Sequence, residues 1–161
     1  MAGLRMMRGY AFIDINQRTF NLLGVYDTGR IIYRVLGQAS RLADLLSEEK
    51  LIPILEDEIH PTLAKRSSEL DMILQIKSIE PLHAPHAYTS QRCPICGRIT
   101  PRYFRLHVRC MDCNLFIHRD LAACLNIAKG FLPTIPVDEG KRYLRSINQY
   151  IQKELGGIFK P

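Results

Sequence analysis

The sequence predicts one α/β domain with a mixed sheet and a small cysteine ribbon inserted towards its carboxyl end. Three observations carry this reading. In the first half, apolar residues run together or recur with a period of two, as strands require. Leucines and isoleucines recur at helical spacing within residues 42–46 and 144–155. Between those stretches lie two Cys-x-x-Cys pairs, from Cys93 to Cys113. With 161 residues the chain can bury one core but not two ordinary domains plus linkers. Residues 1–161 are therefore read as a single unit and 89–117 as the insertion.

Residues 9–16, GYAFIDIN, read as a short buried strand because aromatic and branched residues run together, and Asp14 falls near its end. TFNLLGVYDTGRIIYRVLG alternates apolar and polar positions on both sides of Asp27-Thr28-Gly29, a turn-forming triplet. The first three strands thus form an antiparallel meander. Leu42, Leu45 and Leu46 make 38–50 a helix, and LIPILEDE reads as a fourth strand ending in acid. A short helix is expected from Pro61 to about Asp71 and another strand over 72–81. The two prolines and missing periodicity of PLHAPHAYTSQ mark 81–91 as a linker. After the ribbon, Asp120 opens a small-residue helix that Gly130 is expected to cap. Pro133 and Pro136 break the chain, and 138–155 form an amphipathic helix with Leu144, Ile147, Ile151 and Leu155 on one stripe.

Hydrophobic content of 47% with 24% charged residues excludes a disordered chain. The longest apolar runs fall far short of a membrane span, and the first residues lack a secretory pattern, so a cytoplasmic setting is expected. Charge is unevenly distributed. Residues 1–83 hold 10 Lys+Arg against 11 Asp+Glu, whereas 84–161 hold 12 against 5. The carboxyl half suits a polyanionic partner, although the same basic residues would also serve as an ordinary solvated surface.

Cys93-Pro-Ile-Cys96-Gly97 and Cys110-Met-Asp-Cys113 are separated by thirteen residues, a spacing that suits one tetrahedral zinc ion. Gly97 lets the first knuckle turn back at little steric cost. Reduced thiols in the cytosol disfavour disulfides. A closed four-thiolate site leaves no position for water, which makes the zinc structural. Cys124, among Ala122, Ala123 and Leu125, reads as a buried small residue. The loop between the pairs interleaves Arg98, Arg102, Arg105 and Arg109 with Tyr103, Phe104 and His107, which suits phosphate contact and base stacking. The competing reading has Phe104 and Leu106 packing the ribbon while the arginines are solvated.

YTSQRCPICG followed by RCMDCNLFIHRDLAACLNIAKG resembles the carboxyl-terminal part of the TnpB/OrfB proteins of insertion sequences and of related RNA-guided nucleases. The pattern there is T-S-x-x-C-x-x-C-G, a second C-x-x-C, then D-x-N-A-A-x-N-I. It is met at Thr89, Ser90, the four cysteines, Gly97, Asp120, Ala123, Asn126 and Ile127. Ala122 stands where Asn is usual, and Cys124 where Ala is usual.

The resemblance implies an RNase H-like (RuvC-type) domain and a metal-dependent nuclease whose three catalytic carboxylates come from distant segments. Asp14 is the first and Asp120 the third. Glu56 fits best as the second, with Asp57 and Glu58 as alternatives. Such acids would bind two Mg²⁺ or Mn²⁺ ions about 3.5 to 4 Å apart, one activating water and the other stabilising the leaving oxygen. The implied partner is nucleic acid, DNA more than RNA alone. Read as residues only, Asp120 is also a natural helix N-cap and Glu56 an ordinary solvated strand end. Family members are longer, with an amino-terminal region that holds guide RNA and target, so guide dependence is not carried over. The alternative is a catalytically silent, nuclease-derived protein that binds nucleic acid or regulates.

Overall fold

The computed structural model describes residues 6–57, 59–85, 91–100 and 106–159, and the backbone alone at 102–103. Strand β1 (Gly9–Ile15) pairs antiparallel with β2 (Phe20–Tyr26), and β2 pairs antiparallel with β3 (Ile31–Leu36). Helix α1 (Ala39–Glu49) then returns the chain so that β4 (Leu51–Glu56) lies parallel to β1, with Phe12 opposite Ile54. The sheet order is β3-β2-β1-β4-β5, a mixed sheet as the sequence predicts.

Two expected elements are corrected here. Residues 72–81 do not form a strand, because α2 (Ala64–Ile76), entered through a 3-10 turn at Pro61–Leu63, runs through the first half of them. Leu70 and Leu74, one turn apart, are buried beside Leu42 and Leu46 of α1, and Met and Gln are good helix formers. The fifth strand instead falls inside the expected linker, as β5 (Leu82–Ala84) parallel to β4. Three residues at a sheet edge are too few to show a hydrophobic period.

Alternation along the strands divides the core. Ala11, Ile13, Ile15, Leu51 and Leu55 face α1 and α2. Tyr10, Phe12, Leu23, Val25 and Ile54 face the other way, beneath α3 (Arg119–Phe131), α4 (Val137–Glu154) and the cysteine ribbon. Gly130 does not cap α3, a second correction of detail: the helix continues through buried Phe131 into a 3-10 turn at Leu132–Thr134, where Thr134 Oγ1 donates to the Phe131 carbonyl at 2.6 Å. Burial of Phe131 and Leu132 outweighs the preference of glycine for helix ends. In α4 the apolar stripe is Gly140, Tyr143, Ile147 and Ile151, with Leu144 and Leu155 packed at its rim. Among the described residues, no helix is long and apolar enough to cross a membrane.

Candidate functional site

The ribbon is a three-stranded antiparallel sheet of β6 (Arg102–Tyr103), β7 (His107–Cys110) and β8 (Leu115–His118). Each Cys-x-x-Cys pair ends in a residue with left-handed backbone: Gly97 at φ 75° and Asn114 at φ 50°. Glycine reaches that region freely and asparagine more readily than other side chains, so both knuckles can turn their second thiol back toward the first. The Ile95 amide donates to Cys93 Sγ at 3.4 Å, and the Gly97 amide to the Cys93 carbonyl at 2.8 Å. The equivalence of Gly97 and Asn114 is a sequence signal that attention to glycine alone misses.

The ligand sulfurs of Cys93, Cys96, Cys110 and Cys113 all lie within 4.8 Å of one another, none disulfide-bonded, and Cys96 Sγ is 3.9 Å from Cys110 Sγ. Four thiolates bound tetrahedrally at about 2.3 Å from one zinc ion stand about 3.8 Å apart, so the donor set and its spacing fit that ion. Burial pushes the Cys93 thiol up to about 11 and Cys113 further. At Cys96 burial also pushes up, but the Arg98 backbone amide and the neighbouring thiols outweigh it and lower the group. Gathering four such sulfurs as thiolates requires a compensating cation.

The ribbon is fastened to the domain. Cys93, Val108, Cys110, Cys113, Leu115 and Ile117 belong to the same core as α3 and α4. Asn126 of α3 donates to the Arg92 carbonyl at 2.7 Å, and the Ile158 amide to the Cys113 carbonyl at 2.8 Å. Arg98 is engaged with Asp112 across the two knuckles. Arg109 is exposed on β7, opposite Phe116. The side chains of Arg102 and Tyr103, and the whole of Thr89, Ser90, Phe104, Arg105 and Glu58, lie outside the described residues. Leu106 is half-exposed and does not pack the ribbon core.

A second constellation forms at the carboxyl ends of the parallel strands β1 and β4, the place where open α/β sheets receive ligands. Period-two alternation puts Asp14 on the same face as Tyr10 and Phe12, and Glu56 on the same face as Ile54. That is the face covered by α3, whose first turn carries Asp120. Asp14, Glu56 and Asp120 line one cleft of about 830 Å³, with Asn16, Arg18, Thr19, His60, Leu106, His118 and Arg119 among its walls. Asp57, just past the end of β4, is not among those walls.

Asp120 is not the helix N-cap. His118 takes that position, its Nδ1 accepting the Asp120 amide N–H at 3.1 Å, which leaves the Asp120 carboxylate for the cleft. The Asn16 side-chain amide donates to Asp120 Oδ1 at 2.6 Å, and that of Asn21, wholly buried, to Asp14 Oδ2 at 3.3 Å. Burial, and then the charges of Asp120 and Glu56, push the Asp14 carboxyl up to about 7. Carboxylates crowded this way repel one another until cations separate them. Cys124 is buried, as expected, with its thiol donating to the Asn21 carbonyl at 3.4 Å.

Comparison with known proteins bears on the ribbon. Residues 70–127 match the family model of the Cas12f1-like, TNB domain. The match relates this stretch to the zinc-ribbon region of TnpB-type proteins and contains the four cysteines and Asp120. It covers less than half of the chain and includes neither Asp14 nor Glu56. No curated protein and no solved structure matches the chain.

Proposed function

We propose that the chain is an RNase H-like (RuvC-type) nuclease domain that hydrolyses phosphodiesters of nucleic acid, DNA more than RNA alone, in the cytoplasm. Asp14, Glu56 and Asp120 hold two Mg²⁺ or Mn²⁺ ions, and the zinc of the ribbon keeps a structural role. The observation that carries this reading is the convergence of the three acids, from two strands and a helix, on one cleft beside the ribbon. A mixed sheet with helices on both faces supports the fold assignment. The match at 70–127 supports the nucleic-acid partner.

In this reading Asp14, Glu56 and Asp120 would hold the paired cations, which would supply Lewis-acid polarisation of a phosphate oxygen and a more acidic bound water. Arg98, Arg102, Arg105 and Arg109, with Tyr103, position the strand through phosphate contact and stacking. One observation favours the silent, nucleic-acid-binding alternative: among the described residues the four cysteines, and not the acids, form the compact group of metal-ligating side chains. Two ions several ångström apart do not require such compactness, and for that reason the enzyme reading is preferred.

The test is the purified chain with added Mg²⁺ or Mn²⁺ and labelled single-stranded, duplex and four-way-junction substrates. Cleavage that needs the added cation and disappears in Asp120→Asn supports the proposal. Binding without cleavage across all substrates and both metals establishes the silent alternative, and cleavage that survives Asp120→Asn moves the active site elsewhere.

A further inference from the structure

Two carboxylates of the cleft, Asp14 and Asp120, are 106 positions apart in the sequence, yet each receives a side-chain amide from the same hairpin, β1–β2. Asn21, on β2, holds Asp14 within the sheet. Asn16 reaches out of the turn to a helix 104 residues away. Its bond to Asp120 is short, at 2.6 Å. The other groups near that carboxylate are farther off, with Arg119 Nε 3.7 Å from Oδ1 and His118 Nδ1 3.5 Å from Oδ2.

We propose that Asn16 is a positioning residue that holds the Asp120 carboxylate in the orientation in which it receives a divalent cation. The inference rests on the reading of the cleft as a divalent-metal site. Chemistry favours a carboxamide in this role. It donates to one oxygen without adding charge, so it orients the carboxylate without adding to the positive charge that Arg119 already places 3.7 Å from Oδ1, as a lysine or arginine in its place would. The bond also occupies one side of Oδ1 and restricts rotation of the carboxylate, removing an ordering cost that cation binding would otherwise carry. The turn itself does not need the side chain, because the Asn16 backbone amide donates to the Thr19 carbonyl at 2.8 Å.

The experiment is calorimetric titration of the zinc-loaded full chain with Mn²⁺, in the wild type, Asn16→Ala, Asn16→Leu and Asp120→Asn, together with cleavage rates as a function of Mn²⁺. Removing the amide donor should weaken Mn²⁺ about 10- to 100-fold, the usual effect of losing a partner that orients a metal ligand. The apparent KM for nucleic acid should stay unchanged, and excess Mn²⁺ should restore the rate of both Asn16 variants. Zinc content should not change. Leucine matches asparagine in size, so Asn16→Leu carries the test if the alanine variant loses its circular-dichroism signal. If both Asn16 variants bind Mn²⁺ like the wild type while Asp120→Asn does not, the positioning role is overturned and the metal cleft stands. If the wild type takes up no Mn²⁺, or Asp120→Asn binds it unchanged, the cleft reading falls and this inference with it.

Discussion

The ribbon and the acidic cleft lie side by side, joined where β8 runs directly into α3, but they are assembled in opposite ways. The ribbon draws its four sulfurs from Cys93 to Cys113, through two similar knuckles, each closed by a residue in the left-handed region. The cleft draws its acids from positions 14, 56 and 120, and no local backbone feature links them. The ribbon sulfurs come to one point with tetrahedral spacing, which fits a single soft-ligand ion. The acids share a wide cleft, where burial and then the charges of Asp120 and Glu56 raise the cost of ionising Asp14. Under the proposed reading a metal would have different work in each place: in the ribbon it would hold the local chain together, and in the cleft it would offset the charge that the sheet and α3 bring together.

The largest expected effect tests the ribbon half of that contrast. Elemental analysis should find about one zinc per chain, and Cys110→Ser should release it and melt the ribbon. Zinc binding at such a site is worth roughly 10 kcal/mol or more of local folding free energy. Retention of full zinc by Cys110→Ser would break the contrast outright. In the cleft, Asp14→Asn and Asp120→Asn should each lower cleavage by roughly a thousandfold or more while leaving zinc and fold intact. The double variant should cost little beyond either single change, since residues acting as one unit are not additive. Rates measured at saturating Mn²⁺ decide this, and multiplicative losses would show that the two acids act separately.

A smaller effect concerns stability. The Asp14 carboxyl titrates near 7 in the folded chain against an ordinary value of 3.8, so the folded state favours its protonated form. The contribution is full below pH 4 and is lost as pH rises through 7. Asp14→Asn mimics the protonated acid. Without added divalent cation it should raise the melting temperature at pH 8, by an amount worth at most about 4 kcal/mol, and have little effect at pH 4. Added Mg²⁺ or Mn²⁺ should narrow the gap by stabilising the wild type alone. Equal melting temperatures at pH 8 would mean that neither burial nor the neighbouring acids disfavour the ionised Asp14 carboxyl. The smallest effect returns to the knuckles: Gly97→Ala and Asn114→Ala should each cost about 1 kcal/mol, through the left-handed backbone. A chelator competition should read this as a several-fold loss of zinc affinity, with cleavage at saturating zinc unchanged.

Features that depend on neighbours along the chain are legible in the amino-acid order. Two Cys-x-x-Cys pairs announce a four-thiol cluster that could hold zinc, and the meander, α1, β4 and α4 follow from periodicity and from the Asp27-Thr28-Gly29 turn. Where a side chain has a competing local role, contacts between distant segments make the difference. Asp120 reads equally as an N-cap and as a cleft acid until His118 is seen to take the capping position. Glu56 lines the cleft and Asp57 does not, a difference that depends on packing between distant segments. Helix α2 absorbs residues that look strand-like because Leu70 and Leu74 have α1 to pack on, and β5 exists because the edge of β4 offers unpaired backbone groups that three residues can fill. Asn16 carries no signal of its own in the sequence. Its partner lies 104 positions away, and only the folding of β1 beneath α3 brings that amide to the Asp120 carboxylate.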